Sequence, residues 1–152
     1  MVKTTWTGYM VGLVMVLAFV GCAPSPPLPD DLPTLARLAD SDDLETALRA
    51  TQEISTVYGE KALLDLLEKG GPNASGWAAS LLLGHPSERT KQALLFVLRD
   101  SSADVRSKAL ISLATLCDRT CLAVVTPLAD DPDPQVREIQ HRTVQAIESR
   151  SQ

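Results

Sequence analysis

Two stretches of this chain carry the same residue pattern 31 positions apart. Val105-Arg106 in one stretch and Val136-Arg137 in the other are each followed, eight and eleven positions after the valine, by an apolar residue. Self-similarity at a period of about 20–50 residues is typical of stacked arrays, in which each unit buries its apolar face against its neighbours. The repeat therefore predicts an array of similar units rather than one compact core.

The same period extends toward the N-terminus, and two independent signals agree on it. Pro72 and Pro134 align with each other at a first helical position, where the missing N–H is tolerated. Ser102 and Asp133 stand just before the two later helices and are predicted to cap them. The apolar residues that align in this register are Ala74 and Val105, Ala78 and Ala109, and Leu82, Leu113 and Val144.

Helical periodicity covers the rest of the chain, without an alternating strand pattern of useful length. A leading helix is predicted before each repeated one, and Pro127 is expected to kink the last of them. The apolar residues of the leading helices are Ala62, Leu63, Leu66 and Leu67, then Leu94, Leu95, Val97 and Leu98, then Leu122, Val124, Val125 and Leu128. The sequence thus predicts an all-α solenoid of about four helical hairpins, over residues 30–58, 59–85, 86–117 and 118–149.

The first 21 residues differ in character from the rest. Lys3 is followed by a nearly unbroken apolar run from Tyr9 to Val20 and then by Gly21. A cationic start, a short apolar stretch and a small residue before the cut are typical of a secretory signal. The run is shorter than the roughly 20 residues that span a bilayer, and an uncleaved anchor helix is the alternative. We expect residues 1–21 to be a signal peptide that is removed.

Phe19-Val20-Gly21-Cys22 resembles the lipobox of bacterial lipoproteins. The resemblance implies that Cys22 becomes the first mature residue and is acylated on its thiol and its amine, with fatty acids such as palmitate, so that it anchors the protein to a membrane. In the sorting pattern of enterobacterial lipoproteins, a residue such as Ala23, rather than Asp, after the cysteine favours the outer membrane, facing the periplasm. An ordinary cleaved secretory peptide is the alternative.

The segment 22–33 contains five prolines and is predicted to be a semi-rigid spacer ahead of a repeat domain over residues 34–149. Removing residues 1–21 takes Lys3 from the 14 cationic residues and leaves 13 against 19 anionic ones, a net charge of −6. This balance argues against nucleic acid as a partner, because such binding depends on phosphate neutralisation by Lys and Arg. It also argues against a basic patch on anionic lipid.

The stretches Asp133–Arg137 and Ser102–Arg106 resemble the short HEAT repeats, including the HEAT-like repeats of phycobiliprotein lyases. The resemblance covers residues 59–149 and, with a weaker pattern, residues 30–58. Asn73-Ala74-Ser75 lacks both Val and Arg, and the first unit departs further from the pattern. The resemblance implies that the hairpins stack into a HEAT-like superhelix.

In that family the arginine after the valine pairs with an acidic residue in the turn between the helices. The resemblance therefore implies that Arg106 pairs with Asp100 or Asp131 and that Arg137 pairs with Asp130. Such a ladder is structural, and each exposed rung contributes about 1 kcal/mol or less. A row of ligand-binding arginines is the alternative.

Cys117 and Cys121 form the one local chemical motif of the folded part. Because a secretory signal indicates an oxidising compartment, the pair predicts a disulfide that brackets the turn between the third and fourth hairpins. Free buried thiols are one alternative. A redox or metal pair is another, although the spacing is not Cys-x-x-Cys.

No other pattern predicts catalysis, a cofactor or a metal site. His85 and His141 are 56 residues apart and have no further ligand at a suitable spacing. The Gly70-Gly71-Pro72 sequence is typical of a turn between helices rather than of a phosphate loop. Trp77 stands where either a residue packed between units or an exposed anchor would lie.

These observations together predict a non-enzymatic, lipid-anchored envelope protein. We expect the face of its second helices to bind another protein of the cell envelope. The sequence leaves two alternatives open. One is an enzyme or enzyme subunit related to the HEAT-repeat lyases, and the other is a purely structural envelope component.

Overall fold

The computed structural model describes residues 27–150. The predicted signal peptide, Cys22 and the first part of the proline-rich spacer lie outside these residues. Within residues 27–150 the chain forms seven α-helices and four short 3-10 segments and has no strand, which confirms the all-α class. The α-helices are α1 (Leu32–Ala39), α2 (Leu44–Lys69), α3 (Pro72–Leu81), α4 (Glu88–Phe96), α5 (Ala103–Leu116), α6 (Leu122–Val125) and α7 (Pro134–Arg150). The 3-10 segments are Leu82–Gly84, Val97–Arg99, Arg119–Cys121 and Thr126–Asp130.

Short polar side chains begin most of the α-helices. Asp31 caps α1 by accepting a hydrogen bond from the backbone N–H of Thr34. This contact satisfies one of the N–H groups that have no partner within the helix. The residues that cap α2, α4, α5 and α7 in the same way are Asp43, Ser87, Ser102 and Asp133. The predicted helix starts at Ser102 and Asp133 are therefore confirmed.

The start of α3 is capped from another part of the chain. Gly71 precedes this helix and has no side chain to offer. Instead the Asp40 carboxylate, just after α1, accepts hydrogen bonds from the backbone N–H groups of Asn73 and Ala74 at 3.1 and 3.2 Å. A Cβ atom on Gly71 would lie 1.9 Å from an Asp40 oxygen, so a glycine is needed for this close approach.

The long helix α2 bends at Gly59. The φ angle of this glycine is 70°, in the left-handed region that other residues rarely adopt. The bend separates residues 44–58 from residues 60–69. It therefore falls at the predicted boundary between the first and second hairpins.

Neighbouring helices pack in a regular order. α1 contacts α2, α2 contacts α3, α4 contacts α5, and α6 contacts α7. The helices α3, α5 and α7 also contact one another in sequence. The apolar core draws residues from all seven helices. No helix within residues 27–150 is both long enough and apolar enough to cross a bilayer.

The 31-residue register correctly predicts most of the core. Of the apolar residues that align in this register, only Val144 in α7 is half-buried, and all the others are fully buried. The fully buried members are Ala74, Val105 and Val136, then Ala78 and Ala109, then Leu82 and Leu113. The apolar spacing therefore reports real packing positions.

The last leading helix departs from its predicted pattern. Val125 is fully buried, but Val124, which was expected on the same apolar face, is 38% exposed. The α-helix ends after four residues, and the chain continues from Thr126 as a 3-10 segment that contains Pro127. Both valines lie within α6, and adjacent side chains of a helix with 3.6 residues per turn point in different directions, so Val125 faces the core and Val124 does not.

The first unit is shorter than the later ones. The residues just before α2, α3, α5 and α7 are Asp43, Gly71, Ser102 and Asp133, and they are separated by 28, 31 and 31 positions. In addition, α1 begins two residues before the predicted domain start at 34. It does so because Asp31 caps it and its proline is tolerated in the first turn.

Candidate functional site

A buried ion pair joins α5 to the turn before α7. Arg106 Nε donates to Asp131 Oδ2 over 2.8 Å, and Arg106 Nη2 donates to Asp131 Oδ1 over 2.7 Å. The two side chains are only 10% and 6% exposed. The hydrogen bond from Arg106 lowers the pKa of Asp131 although burial opposes it, and the same bond raises the pKa of Arg106. Both groups therefore stay charged at neutral pH.

Both arginines that follow the repeated valines also bind the turn before their own helix. Arg106 Nη1 donates to the carbonyl oxygen of Asp100 over 2.8 Å, and Arg137 Nη1 donates to that of Asp131 over 2.7 Å. The pairing expected between Arg137 and Asp130 is not present among the described residues, because this guanidinium binds turn carbonyls while the Asp130 side chain is exposed. Asp100 likewise meets its arginine through its carbonyl oxygen rather than through its carboxylate.

Ser75 occupies the arginine position of the second hairpin. Its Oγ donates to the carbonyl oxygens of Gly70 and Leu66 at 3.2 and 3.3 Å, so it also binds the turn before its own helix. It is too short to reach the following turn, where the Asp100 carboxylate accepts from the backbone N–H of Ser102 over 2.7 Å. An open groove of about 360 Å³ lies between the two turns. The ion pair that links the third and fourth turns thus has no equivalent between the second and third.

Cys117 and Cys121 form a disulfide at the end of α5. Both residues are 4% exposed. Arg150, in the last turn of α7, donates to the carbonyl oxygens of Thr115 and Cys117 at 2.6 Å each. A cation placed at carbonyl groups without a helical partner stabilises a helix C-terminus. The end of α5 is therefore held by one covalent link and by one charged side chain of the neighbouring helix.

Trp77 on α3 is half-buried and lies against α5. Lys108 Nζ is 4.4 Å from the centre of the indole ring, which is within cation–π distance. The same ammonium group donates to Asp104 Oδ2 over 2.6 Å. Gly76 allows the close approach, since a Cβ atom there would lie 2.7 Å from the Asp104 carboxylate. Trp77 is thus part of a mixed apolar and charged surface rather than a fully buried core residue.

This surface continues along α5 and α7. Ile111 lies about one turn after Lys108 and is 53% exposed. Arg142 holds the position of Ile111 in the 31-residue register and forms an exposed ion pair with Glu138. We call the surface formed by Trp77, Asp104, Lys108, Ile111, Glu138 and Arg142 the second-helix face.

The contact between Trp77 and Lys108 was missed by sequence reasoning, which considered the tryptophan alone. A usable signal was present, because the two residues are 31 positions apart. In a stack of similar units, residues at the same repeat position on neighbouring helices lie side by side. The 31-residue register could therefore have predicted this contact as well as the core positions.

Two open grooves flank the second half of α2. The groove between α1 and α2, lined by Leu32 and Leu66, has a volume of about 570 Å³. The groove between α2 and α4, lined by Ala93 and Val97, has a volume of about 270 Å³. Phe96 lies at the edge of this second groove and is 70% exposed. The sequence predicted a binding face on the second helices, and it did not predict these two grooves or the exposure of Phe96.

A polar cluster fastens α4 to the bend of α2. The Glu60 carboxylate accepts hydrogen bonds from the hydroxyl groups of Ser87 and Thr90, and these bonds lower the pKa of Glu60. Ser55 Oγ and His85 Nε2 are 3.1 Å apart in the same region. In an activated serine, the base beside the hydroxyl group is itself oriented by a third group. Here the Glu60 carboxylate is instead bound by two hydroxyl groups at the start of α4. The cluster is therefore suited to holding two helices together.

Within residues 27–150, no group of three or more His, Cys, Asp or Glu side chains could hold a metal ion. Neither models of known protein families nor curated proteins gave a match to this chain.

Proposed function

We propose that this protein is a non-enzymatic, lipid-anchored component of the bacterial cell envelope that binds another protein through its second-helix face. The observation that carries the proposal is the Trp77 ring held under Lys108 beside the exposed Ile111. Large aromatic side chains near the centre of a contact surface supply much of the energy of protein association. A ring that is already fixed loses little conformational entropy on docking.

Recurring hydrogen bonds support a HEAT-like solenoid as the scaffold of this face. Ser112 Oγ donates to the carbonyl oxygen of Ala79 over 2.8 Å, and Thr143 Oγ1 donates to that of Leu110 over 3.2 Å. Donors and acceptors in the two bonds are each 31 positions apart. Identical bonds are expected where each unit is displaced from the last by a similar step, and such arrays present an extended surface to a partner.

The location in the envelope rests on the N-terminal sequence. Phe19–Cys22 resembles a lipobox, and acyl chains on Cys22 would hold the protein on a membrane, at about 0.8 kcal/mol for each buried methylene. The proline-rich segment 22–33 would then set the distance between lipid and domain. The partner is accordingly a protein of the envelope, and Ala23 favours the periplasmic side of the outer membrane. Incorporation of labelled palmitate into the wild-type chain, and its loss in Cys22→Ala, is the expected result.

Site-specific photo-crosslinking in intact bacteria tests the binding face. A photoreactive residue replaces Ile111 in the full chain, and in the matched control it replaces the exposed Gln92 on α4. We expect a discrete adduct with one envelope protein from position 111 and none from position 92. Adding Lys108→Glu should abolish the adduct, because it removes the cation that holds Trp77.

Three outcomes would contradict the proposal. One is the absence of any adduct at position 111, and another is an equal adduct at both positions. The third is a phenotype that requires Cys22 but persists when Ile111 and Lys108 are both replaced by acidic residues. That result would leave a purely structural envelope component as the better description.

A further inference from the structure

Asp131, in the turn before α7, binds two arginines through different groups. Its carboxylate receives hydrogen bonds from Arg106 at 2.8 and 2.7 Å, and its backbone carbonyl oxygen receives one from Arg137 over 2.7 Å. The carboxylate also accepts from the backbone N–H of Asp133 over 2.9 Å. One aspartate of the repeat can therefore hold one guanidinium on its carboxylate while a second guanidinium binds its carbonyl oxygen.

Asp100 is the equivalent residue in the turn before α5, and only part of this arrangement is present there. Its carbonyl oxygen accepts from Arg106 over 2.8 Å, and its carboxylate accepts from the backbone N–H of Ser102 over 2.7 Å. The charge of Arg106 also interacts with the Asp100 carboxylate, as the charge of Arg137 does with that of Asp131. Within residues 27–150, the element that Asp100 lacks is a guanidinium donating hydrogen bonds to its carboxylate.

The space that such a guanidinium would fill is an open groove. Position 75 on α3 carries a serine, whose hydroxyl group donates to the carbonyl oxygen of Gly70 over 3.2 Å. Ser75, Asp100 and Ser102 help to line the groove, which has a volume of about 360 Å³. A closed cavity of about 150 Å³ is enough to hold a benzene ring, and a guanidinium group has fewer heavy atoms than that ring. The groove therefore has room for a guanidinium and the methylene groups next to it.

We propose that this groove binds an arginine side chain of a partner protein, in the way that Asp131 binds Arg106. A guanidinium is preferred to an ammonium group because its planar fork donates two parallel hydrogen bonds to one carboxylate. The described residues that line the groove include no cation, so the α-carboxylate of free arginine would have no partner there. An arginine within a polypeptide has no such carboxylate and fits the groove better.

The groove shares no lining residue with the second-helix face. The inference therefore goes beyond the proposed function, and either can fail without the other.

An NMR titration of the isotope-labelled full chain in detergent micelles tests the site, with the capped tripeptide Gly-Arg-Gly as the probe. We expect saturable shifts of the backbone amide signals of Ser101 and Ser102, which line the groove. The same tripeptide with lysine or neutral citrulline in place of arginine should bind about tenfold more weakly or worse, because lysine lacks the fork and citrulline lacks the charge. Free arginine should also bind more weakly than the arginine tripeptide.

Three variants test whether the contact is the one that the repeat predicts. Asp100→Asn should weaken binding of the arginine tripeptide by about tenfold or more, because the amide keeps an acceptor for Ser102 but removes the charge. Ser75→Arg should abolish binding, because its own guanidinium fills the groove. Asp42→Asn, at an exposed position in the turn before α2, is the matched control and should leave the dissociation constant unchanged.

The comparison of tripeptides uses the wild-type chain, so it does not depend on any variant, and the dispersion of the amide signals reports whether each variant is folded. The absence of saturable binding would overturn the proposal. Equal binding of the arginine and lysine tripeptides, or tighter binding of free arginine than of the arginine tripeptide, would also overturn it. Binding that a folded Asp100→Asn or Ser75→Arg chain leaves unchanged would do the same.

Discussion

The turn before α7 and the turn before α5 hold equivalent places in the 31-residue register, yet they are joined differently to the preceding second helix. Asp131 in the first of these turns receives two hydrogen bonds from Arg106 on α5. Asp100 lies in the turn before α5, and the residue equivalent to Arg106 for this turn is Ser75 on α3, which cannot form such an ion pair. The separation is 25 residues in both cases. One interface is therefore bridged by charge, and the other is left as an open groove.

This difference separates two tasks that the repeated arginine performs. Binding the turn before its own helix is common to Ser75, Arg106 and Arg137, although a hydroxyl performs it in one case and a guanidinium in the others. Bridging to the next turn is a property of Arg106 alone within the described residues. Ser75 thus keeps the contact with the turn before its own helix but lacks the bridge to the next turn that Arg106 forms.

The largest expected effect comes from breaking the bridged interface. Arg106→Met should lower the free energy of unfolding by about 3–5 kcal/mol, because it leaves the buried Asp131 carboxylate without its partner. Arg137→Met is the matched control and should cost about 1 kcal/mol or less, since that side chain is exposed. Urea unfolding of the full chain, followed by circular dichroism, measures both. Equal losses would show that the buried pair is not special.

The same ion pair should make stability depend on pH. Folding lowers the pKa of Asp131, so in acid the unfolded chain binds a proton more readily than the folded chain does. The free energy of unfolding therefore decreases as the pH decreases. The contribution is fully present above the ordinary aspartate pKa of about 3.9 and is lost as the pH falls through the lower folded value. The stability difference between wild type and Asp131→Asn should therefore be constant from pH 7 to about pH 5 and shrink below it. A constant difference down to pH 3 would contradict this account.

Loss of the disulfide should have an intermediate effect at the end of the same helix. Replacing Cys117 and Cys121 together by serine should lower the free energy of unfolding by about 2 kcal/mol, near the low end of the usual range, because the closed loop is short. Reductant should destabilise the wild type by the same amount and leave the double variant unchanged. Sensitivity of the double variant to reductant would indicate that another linkage is involved.

A smaller effect is expected where the first unit meets the second. Asp40→Ala should lower the free energy of unfolding by about 1 kcal/mol, the usual contribution of a helix cap, because α3 has no cap of its own. The neighbouring exposed Asp42 provides the control, and its replacement by alanine should change stability by about 0.5 kcal/mol or less. Thermal unfolding of both variants decides whether the cap is real. Identical melting temperatures would refute it.

Local and periodic features of this fold could be predicted from the sequence. Apolar spacing located the core at Val105 and Val136, and short polar residues located the helix starts, because both signals depend on neighbours within one or two turns. The same reasoning failed at Val124, because the predicted apolar face included two adjacent valines whose side chains point in different directions.

Contacts between distant residues were mostly beyond the reach of the sequence. The resemblance to HEAT repeats left Arg106 with two possible acidic partners, and only the position of the next turn selects Asp131. The cap of α3 by Asp40 depends on a close approach across 33 residues, which no local pattern records. The exposed Phe96 could not be distinguished from buried leucines nearby, since its exposure depends on how α2 and α4 are spaced.

We infer that equivalent positions of the units that begin after Gly71, Ser102 and Asp133 face one another in one constant register. The substitution Ser75→Arg tests it most directly, because it places an arginine where the register aims it at Asp100, across the groove between the second and third turns. A double-mutant cycle of Ser75→Arg with Asp100→Ala should give a favourable coupling energy of about 1–3 kcal/mol, as expected for residues in direct contact. A coupling energy of zero would show that the two turns are not related as Arg106 and Asp131 are, and would contradict the account.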